Sequence, residues 1–460
     1  MTANTPLHRL GLVEMLAAIE ARRCDAADIV ESCLDRIASV EPALGAWVHL
    51  EARAAWLARW QRFRSSHRDL PFHGLPMGVK DTIDVAGMKA ERGSPIWRGR
   101  VATEDAACVA RLAAAGLQVA GKTVTTEFAY FAPGKTRNPY HLDHTPGGSS
   151  SGSAAAVAAA MVPVALGSQT AASVIRPASY CGIAAHVATV GRFSLRGVMP
   201  LAWSFDAPGV LARSAADLER VHAALAGETA PPTAPPAPTR LLAFDARAFG
   251  EVDPAMGAAF ESALAALARR GVDIRRPADP KAGAAWPALH QRWMADEAAQ
   301  TLAFETATAP GSMSDELRKL VQDGAAVTPA ERDELQARHD GARAEFGALI
   351  EGCDAVIAPA APGPAPAGLQ ATGSPFASRP WQLLGLPQVA LPLTRDAQGL
   401  PLGIQIVGRA RSDRHLLGLA RWLEREMGWW WLPPPGLDRG SASGARIGAP
   451  VFVCRHAQRV

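Results

Sequence analysis

The chain has 460 residues, of which 48% are hydrophobic and 20% charged, a composition that excludes large-scale disorder. Its 47 basic and 44 acidic residues give a net charge of +3, and the basic residues are scattered, which argues against a nucleic-acid-binding protein. We therefore expect the partner to be a small molecule. No apolar run reaches the roughly 20 residues of a membrane helix, so we expect no contact with a membrane.

The first third of the chain shows the alternation of an α/β protein. Apolar residues at helical spacing over Gly11–Val40 predict surface helices. Short apolar runs at Leu75–Val79 and Gln118–Ala120 end at polar residues and predict buried strands. The helical spacing of Asp105–Ala115, closed by Gly116, predicts a crossover helix between them. Polar groups at the carboxyl ends of such strands commonly bind ligands or take part in catalysis.

A Pro- and Ala-rich segment, residues 227–240, interrupts the pattern and predicts an extended loop or linker. After it, a helix opens at Asp253-Pro254 and a mostly helical region covers residues 284–346. Strands are predicted at residues 241–244, 272–274, 355–359, 389–393 and 402–407. The tail at residues 441–460 has no interpretable pattern and is a candidate disordered segment.

A Gly/Ser loop, Thr145–Ser153, precedes the alanine-rich segment Ala154–Met161, which favours a helix. Such a loop can aim backbone N–H groups and hydroxyls at an anion or a reacting carbonyl, although Gly/Ser clusters also form plain turns. A nucleotide-binding loop would need Lys and then Ser or Thr after Gly152. Because Ser153 and Ala154 follow instead, the phosphate-binding interpretation fails.

Residues Gly148–Gly152 also match the nucleophile elbow of α/β-hydrolases, with Ser150 as nucleophile. That elbow lies on a tight turn between a strand and a helix. Pro139 and Pro146 disfavour a strand immediately before the loop, so this interpretation is weak.

Three blocks resemble the amidase signature family: Gly74–Asp81, which contains Lys80, the Gly/Ser loop, which contains Ser149, and Ser173–Gly182. The 69 residues from Lys80 to Ser149 and the 24 from Ser149 to Ser173 match the family's spacing. The resemblance continues at residues 191–197, 357–362, 373–375, 379–381 and 400–408. The stretch from Gln169 to Arg176 looks most like the malonamidase-like, stand-alone members.

The resemblance implies a three-layer α/β/α sandwich with a large mixed β-sheet. It implies a single domain over residues 1–460 with its signature core at residues 60–220. The implied activity is hydrolysis of a small carboxylic amide to carboxylate and ammonia through a serine acyl-enzyme, without metal or cofactor.

The resemblance also assigns a Ser-Ser-Lys triad. Ser173 would attack the amide carbonyl, and Ser149, after a cis peptide bond, would relay the proton to Lys80. Lys80 must be neutral to act as a base, which requires burial, because burial disfavours the charged form.

Six further residues are expected around the triad. Ser150 would support the network by a hydrogen bond, and backbone N–H groups from Thr170 through Ala171 and Ala172 to Ser173 would form the oxyanion hole. Gln169 and Thr170 would hold the loop or touch substrate. Arg176 would either bind a substrate carboxylate by two parallel hydrogen bonds or form a structural ion pair.

The chain departs from the family at Ala171-Ala172, where members usually carry two glycines. If either position needs a positive φ, an alanine costs about 1–2 kcal/mol or shifts the loop. Two alternatives therefore stay open: a non-catalytic or weakly active binding or assembly protein, and the amidase subunit of a glutamyl-tRNA amidotransferase. Whether the protein forms a homodimer also stays open.

Six aromatic residues are candidates for the wall of the substrate pocket: Phe128, Phe131, Trp203, Trp293, Phe304 and Trp381.

The histidines and cysteines of the chain are not predicted to form a functional site. His141, His144 and His186 are expected to be surface or satisfied structural residues. The six cysteines lack the paired spacings of a metal or redox motif, and the amino terminus lacks the order of a secretory signal. We therefore expect a cytoplasmic protein.

Overall fold

One mixed sheet of 11 strands runs through the residues that the computed structural model describes, which are 5–228, 237–435 and 437. Most of the predicted Pro/Ala-rich loop and all of the predicted tail at 441–460 lie outside these ranges. Strands from both sides of that loop join the same sheet.

The strand order across the sheet is β1-β3-β2-β4-β6-β5-β10-β11-β9-β7-β8. Within it, β2 is parallel to β3 and β4, and β7 is parallel to β8 and β9, whereas the other neighbours are antiparallel. The strands are β1 Trp47–Leu50, β2 Pro76–Lys80, β3 Gln118–Thr123, β4 Val164–Gln169, β5 Ala184–Val187, β6 Ala207–Ala212, β7 Arg240–Ala243, β8 Asp273–Arg275, β9 Ala355–Pro359, β10 Gln388–Arg395 and β11 Pro401–Val407.

Fourteen α-helices lie in the described ranges. They are α1 Leu12–Glu20, α2 Ala26–Leu44, α3 Arg53–Ser66, α4 Ala107–Ala114, α5 Ser151–Ala158, α6 Ile175–Tyr180, α7 Ala215–Ala226, α8 Pro254–Arg269, α9 Trp286–Thr301, α10 Ala303–Thr308, α11 Asp315–Ala325, α12 Pro329–Leu349, α13 Arg379–Leu383 and α14 Asp413–Met427.

Successive residues of the central strands belong to different apolar clusters, which lie on opposite faces of the sheet. In β4, Val164 and Leu166 join one core cluster, with α1, α4, α7, α8 and α14, whereas Ala165 joins a second, with α5 and α6. In β9, Ile357 packs in the first cluster and Val356 in a third, built on α9, α11 and α12. Since successive strand residues point to opposite faces, helices cover both faces of the sheet. The predicted three-layer α/β/α sandwich is confirmed.

The predicted strands at 75–79, 118–120, 241–244, 355–359, 389–393 and 402–407 all correspond to strands of this sheet. β1 and β5 were not predicted from the sequence, and neither were the neighbouring strands β4 and β6. Their sequences, VALGSQ and APGVLA, are rich in alanine and glycine, and β6 includes a proline, so neither carries the β-branched enrichment of a strand.

Parallel pairing of β2 with β4, in which Val79 lies opposite Leu166, brings their carboxyl ends to one edge of the sheet. Lys80 ends β2 and Gln169 ends β4. The antiparallel β6 begins beside Gln169, so Asp206 reaches the same edge. None of the helices within the described ranges is both long and apolar enough to span a membrane.

Candidate active site

The Gly/Ser loop is fastened to the segment that carries Ser173. The Gly148–Ser149 peptide bond is cis, as the family resemblance implies. The Ser150 N–H donates to the Ser173 carbonyl at 3.0 Å, and the Ser150 hydroxyl donates to the Ser168 carbonyl at 3.4 Å. Ser150 therefore joins the Gly/Ser loop to the backbone at Ser168 and Ser173.

The α/β-hydrolase interpretation is wrong. Residues 137–146 form no strand, so the strand-to-helix turn of a nucleophile elbow is missing. Ser150 is 0% exposed and does not line the pocket that contains Ser149 and Ser173.

Lys80 is hydrogen-bonded to Ser149 inside the protein. Its Nζ donates to Ser149 Oγ at 2.7 Å, to Ser168 Oγ at 2.9 Å and to the Ser168 carbonyl at 3.2 Å. The lysine is 0% exposed, and within the described ranges no carboxylate lies at ion-pair distance from it. The predicted buried lysine is therefore present, with neutral oxygens as its partners.

Burial lowers the pKa of Lys80 to about 7, although the negative charge of Asp206 opposes that shift. Removing the ammonium from water without a paired carboxylate disfavours the charged form. Near neutral pH, a substantial fraction of Lys80 is therefore the free amine that a general base must be.

Ser173 lies at the wall of a pocket with about 360 Å³ of empty space. Ser149 lines the same pocket. No hydrogen bond joins the two hydroxyls among the described residues, and catalytic hydrogen bonds often tighten only when substrate binds. The pocket is lined by Thr126, Ala129, Tyr130, Phe131, Ser149, Thr170, Ala171, Ala172, Ser173, Arg176, Leu201, Met294, Thr372, Pro375 and Arg379.

Three consecutive backbone N–H groups, those of Ala171, Ala172 and Ser173, have no hydrogen-bond acceptor in the part of the chain that the structure describes. All three residues line the pocket beside the Ser173 hydroxyl. Unpaired amides at this position are what an oxyanion hole requires. Neither alanine has a positive φ, so the backbone strain that the missing glycines could bring does not arise.

Gln169 fixes the loop and does not touch the pocket. Its Oε1 accepts from the N–H groups of Val174 and Ile175 at 2.9 and 3.1 Å. Its Nε2 donates to Gln382 and Gln388 at 2.8 and 3.2 Å.

Thr170 lies in the pocket wall and is held by two residues that the sequence analysis did not single out. Its hydroxyl donates to Asp206 Oδ1 at 2.5 Å, and its carbonyl lies 2.8 Å from His290 Nε2. Burial raises the pKa of Asp206 to about 7 and keeps that of His290 well below its usual value. His290 is therefore neutral and donates Nε2–H to Thr170.

Arg176 lines the pocket without a carboxylate partner. Its guanidinium donates to the carbonyls of Gly373 and Gly148 at 2.6 Å each and to Thr372 Oγ1 at 3.1 Å, and its Nε has no partner. Burial lowers its pKa to about 10. Every acceptor that Arg176 meets within the described residues is neutral, so it forms no ion pair there.

A second guanidinium, that of Arg379, was not identified as a site residue. It lies at the amino-terminal turn of α13, lines the pocket, and has no hydrogen-bond partner on Nε. Burial lowers its pKa to about 10. The only sequence signal for Arg379 was its place in the Arg379-Pro380-Trp381 segment, which resembles the family.

Of the six aromatic candidates for the pocket wall, Phe131 alone lines it.

The amidase family profile, described as Amidase, matches residues 28–417. The chain is 30% identical over 494 aligned residues to a glutamyl-tRNA(Gln) amidotransferase subunit from Roseiflexus castenholzii, covering 95% of this chain and 100% of the relative. The corresponding amidotransferase subunit from Symbiobacterium thermophilum is 31% identical and covers 91% of this chain and 96% of the relative.

A solved structure described as an amidase superposes with a TM-score of 0.82 at 28% identity, covering 91% of this chain and 100% of that one. The particular nearness to malonamidase-like members stays a prediction. The profile match over most of the chain, together with the shared fold, shows that the chain belongs to the amidase signature family and is an amidase, a hydrolase acting on carbon–nitrogen amide bonds.

Proposed function

We propose that this enzyme hydrolyses a small, carboxylate-bearing amide to acid and ammonia through an acyl-enzyme on Ser173. The observation that carries the proposal is the buried hydrogen bond from Lys80 to Ser149 at the wall of the pocket that also contains Ser173 and three unpaired backbone N–H groups. A nucleophile, a proton acceptor and an oxyanion hole are the three requirements of amide hydrolysis.

In the proposed acylation, Ser173 Oγ attacks the amide carbonyl carbon. The Ser173 proton passes to Ser149, whose own proton passes to neutral Lys80. The N–H groups of Ala171, Ala172 and Ser173 stabilise the negative oxygen of the tetrahedral intermediate. When the C–N bond breaks, Lys80 returns a proton through Ser149 to the leaving nitrogen, and ammonia departs. Water then attacks the ester carbon on Ser173 and gives its proton through Ser149 to Lys80. When the ester C–O bond breaks, Lys80 returns a proton through Ser149 to Ser173 Oγ, and the acid leaves.

The charge of the pocket supports a carboxylate on the substrate. Arg176 and Arg379 both line it, and no Asp or Glu does. Neither guanidinium forms an ion pair within the described ranges. A buried cation without a counter-charge is costly, and a carboxylate would supply that charge with hydrogen bonds of matching geometry.

A second candidate is the amidase subunit of a glutamyl-tRNA amidotransferase, favoured by the similarity of about 30% to such subunits along almost the whole chain. The two candidates share the chemistry at Ser173 and differ in the fate of the ammonia. Such a subunit would associate with partner chains, and its amide substrate would carry an α-amino group beside the carboxylate. No carboxylate in the described pocket wall is placed to bind that ammonium, which favours the first candidate.

The experiment is ammonia release by the purified chain from a panel of carboxylate-bearing amides, neutral amides and glutamine. Ser173→Ala is the test variant, and Ser65→Ala, an exposed serine on α3, is the matched control. We expect release from carboxylate-bearing amides that Ser173→Ala abolishes and Ser65→Ala leaves unchanged. Release from glutamine alone, and only after partner subunits are added, would favour the second candidate. Equal turnover by Ser173→Ala would overturn both.

A further inference from the structure

Three buried polar side chains from separate elements meet away from the catalytic pocket. They are His186 in β5, His222 in α7 and Asp413 at the start of α14, which are 2%, 1% and 2% exposed. None of them lines the pocket that contains Ser173. We call these three residues the His-His-Asp cluster.

The spacing within the cluster suits a metal ion. One donor atom from each residue lies within 4.8 Å of the other two. His186 Nε2 and Asp413 Oδ1 are 3.5 Å apart. Two ligands at about 2.0–2.2 Å from a tetrahedral zinc ion lie about 3.3–3.6 Å from each other, so this pair is already near the required separation.

The imidazole nitrogens of the cluster lack hydrogen-bond partners. Both nitrogens of His222 and Nε2 of His186 are buried without one in the described part of the chain. The ring of His222 instead meets those of His186 and Phe193 edge-on, at centroid distances of 5.1 and 5.3 Å. His186 was predicted to be a surface or satisfied residue; it is buried, and its Nε2 faces Asp413 Oδ1 at 3.5 Å, beyond the hydrogen bonds found among the described residues. An unpaired polar atom in a core calls for a missing partner.

His222 can offer one ring nitrogen to a metal ion. A neutral imidazole has a lone pair on one nitrogen and an N–H on the other, so ligation would use the lone pair and leave one N–H.

Asp413 is held in place by a further layer of hydrogen bonds. Its Oδ1 accepts from the Thr189 N–H at 2.8 Å, and its Oδ2 accepts from the Thr189 hydroxyl at 2.6 Å. Such outer contacts orient the carboxylates of metal sites, and each oxygen retains a lone pair for a metal ion.

The nearby positive charges do not forbid a cation. The positive charges of Arg192 and Arg414 act on His222, and both arginines form ion pairs with Glu228 at 3.3 Å. Gly191 and Arg192 lie in an exposed loop next to Phe193, whose ring meets that of His222.

We propose that His186, His222 and Asp413 bind one Zn²⁺ ion that ties β5, α7 and α14 together. Two imidazoles and one carboxylate are a ligand set that zinc favours, whereas Ca²⁺ and Mg²⁺ favour oxygen ligands alone. The fourth position would be filled by a water molecule. The site lies outside the pocket that contains Ser173, so the amidase reaction does not depend on it.

The test is titration of chelator-treated, full-length protein with Zn²⁺ alone, followed by calorimetry and by thermal unfolding. We expect one Zn²⁺ per chain and a Tm that rises by a few degrees. His222→Leu, which removes one ligand and fits an apolar core, should weaken binding at least about 100-fold and abolish the rise in Tm. His415→Gln, an exposed histidine two residues after Asp413, is the matched control and should bind as the wild type does.

His186→Leu serves as a second ligand variant and should show the same loss, which guards against a folding defect of one substitution. The proposal is overturned if the wild type binds no stoichiometric Zn²⁺, or if both leucine variants fold and bind Zn²⁺ as tightly as the wild type. Ammonia release is not the readout, so failure here would leave the proposed amidase function untouched.

Discussion

Lys80 Nζ lies 2.7 Å from Ser149 Oγ, in a hydrogen bond that joins the end of β2 to the Gly/Ser loop before α5. Both groups are buried, and the amine meets only neutral oxygens nearby. The bond gives Ser149 a proton acceptor whose pKa lies near neutrality. Four predictions follow from this arrangement and its surroundings.

The first prediction concerns pH. Because the folded pKa of Lys80 is lowered to about 7, the neutral base predominates above that pH and the ammonium below it. We therefore expect kcat/KM to rise with a midpoint near pH 7 and reach an alkaline plateau, falling about tenfold per pH unit on the acid side. A pH–rate profile measures this. An optimum confined to acidic pH would exclude Lys80 as the base. Removing the base should also be costly, and we expect Lys80→Met to lower kcat by about 10²–10⁴-fold.

The second prediction concerns Arg379. Arg379→Met should lower kcat/KM for carboxylate-bearing amides by about 10–100-fold, the usual cost of losing a charge-assisted hydrogen bond, chiefly through KM. Neutral amides of similar size should be affected less than about threefold. Arg379→Lys, which keeps the charge, is the matched variant and should recover part of the loss. An equal effect on neutral and charged amides would show that Arg379 acts on the fold of the pocket instead.

The third prediction concerns the loop that Gln169 holds. Gln169→Leu removes the acceptor for the N–H groups of Val174 and Ile175, and each buried group left unpaired costs about 1–3 kcal/mol. We expect lower stability in denaturant unfolding together with a reduced kcat, since the oxyanion-hole residues come directly before those two positions. Unchanged stability would mean that the contacts are not maintained in solution.

The fourth prediction concerns the two alanines that replace the family's glycines. Because neither has a positive φ, restoring glycine relieves no strain. Ala172→Gly should change kcat by less than about threefold and should destabilise the protein by about 0.4–1 kcal/mol through the entropy of the unfolded chain. A large gain in kcat would show that alanine had displaced the oxyanion donors.

The alternating pattern predicted an α/β fold, and a strand end and a Gly/Ser loop, which are local signals, marked the segments that carry Lys80 and Ser149. The three-layer sandwich and the segment that carries Ser173 were implied by the family resemblance. The sequence did not predict the residues that reach the site from elsewhere in the chain. Asp206 and His290 hold Thr170, and Gln382 and Gln388 hold Gln169. Their contacts arise from tertiary packing, which no local pattern encodes.

Arg379 shows the same limit in a charged residue. Its segment, residues 379–381, entered the sequence analysis only through the family resemblance, and the packing of α13 against α9 places its guanidinium at the pocket. The role of Arg176 was open for the related reason that guanidinium groups serve ion pairs and substrates equally well. No acidic residue belongs to the described pocket wall, which supports the substrate-binding role proposed for Arg176, and this composition of the wall is a property of the fold.

The most direct measurement is fluorophosphonate labelling read out by intact mass and peptide mapping, because it reports on nucleophile activation without knowledge of the substrate. We expect one adduct per chain, located on Ser173, with labelling that slows at least about 100-fold in Lys80→Met and disappears in Ser173→Ala. Ser65→Ala should label at the wild-type rate. A folded wild type that resists the reagent, or an adduct on another serine, would contradict the account of Ser173 as a nucleophile activated through Ser149 and Lys80.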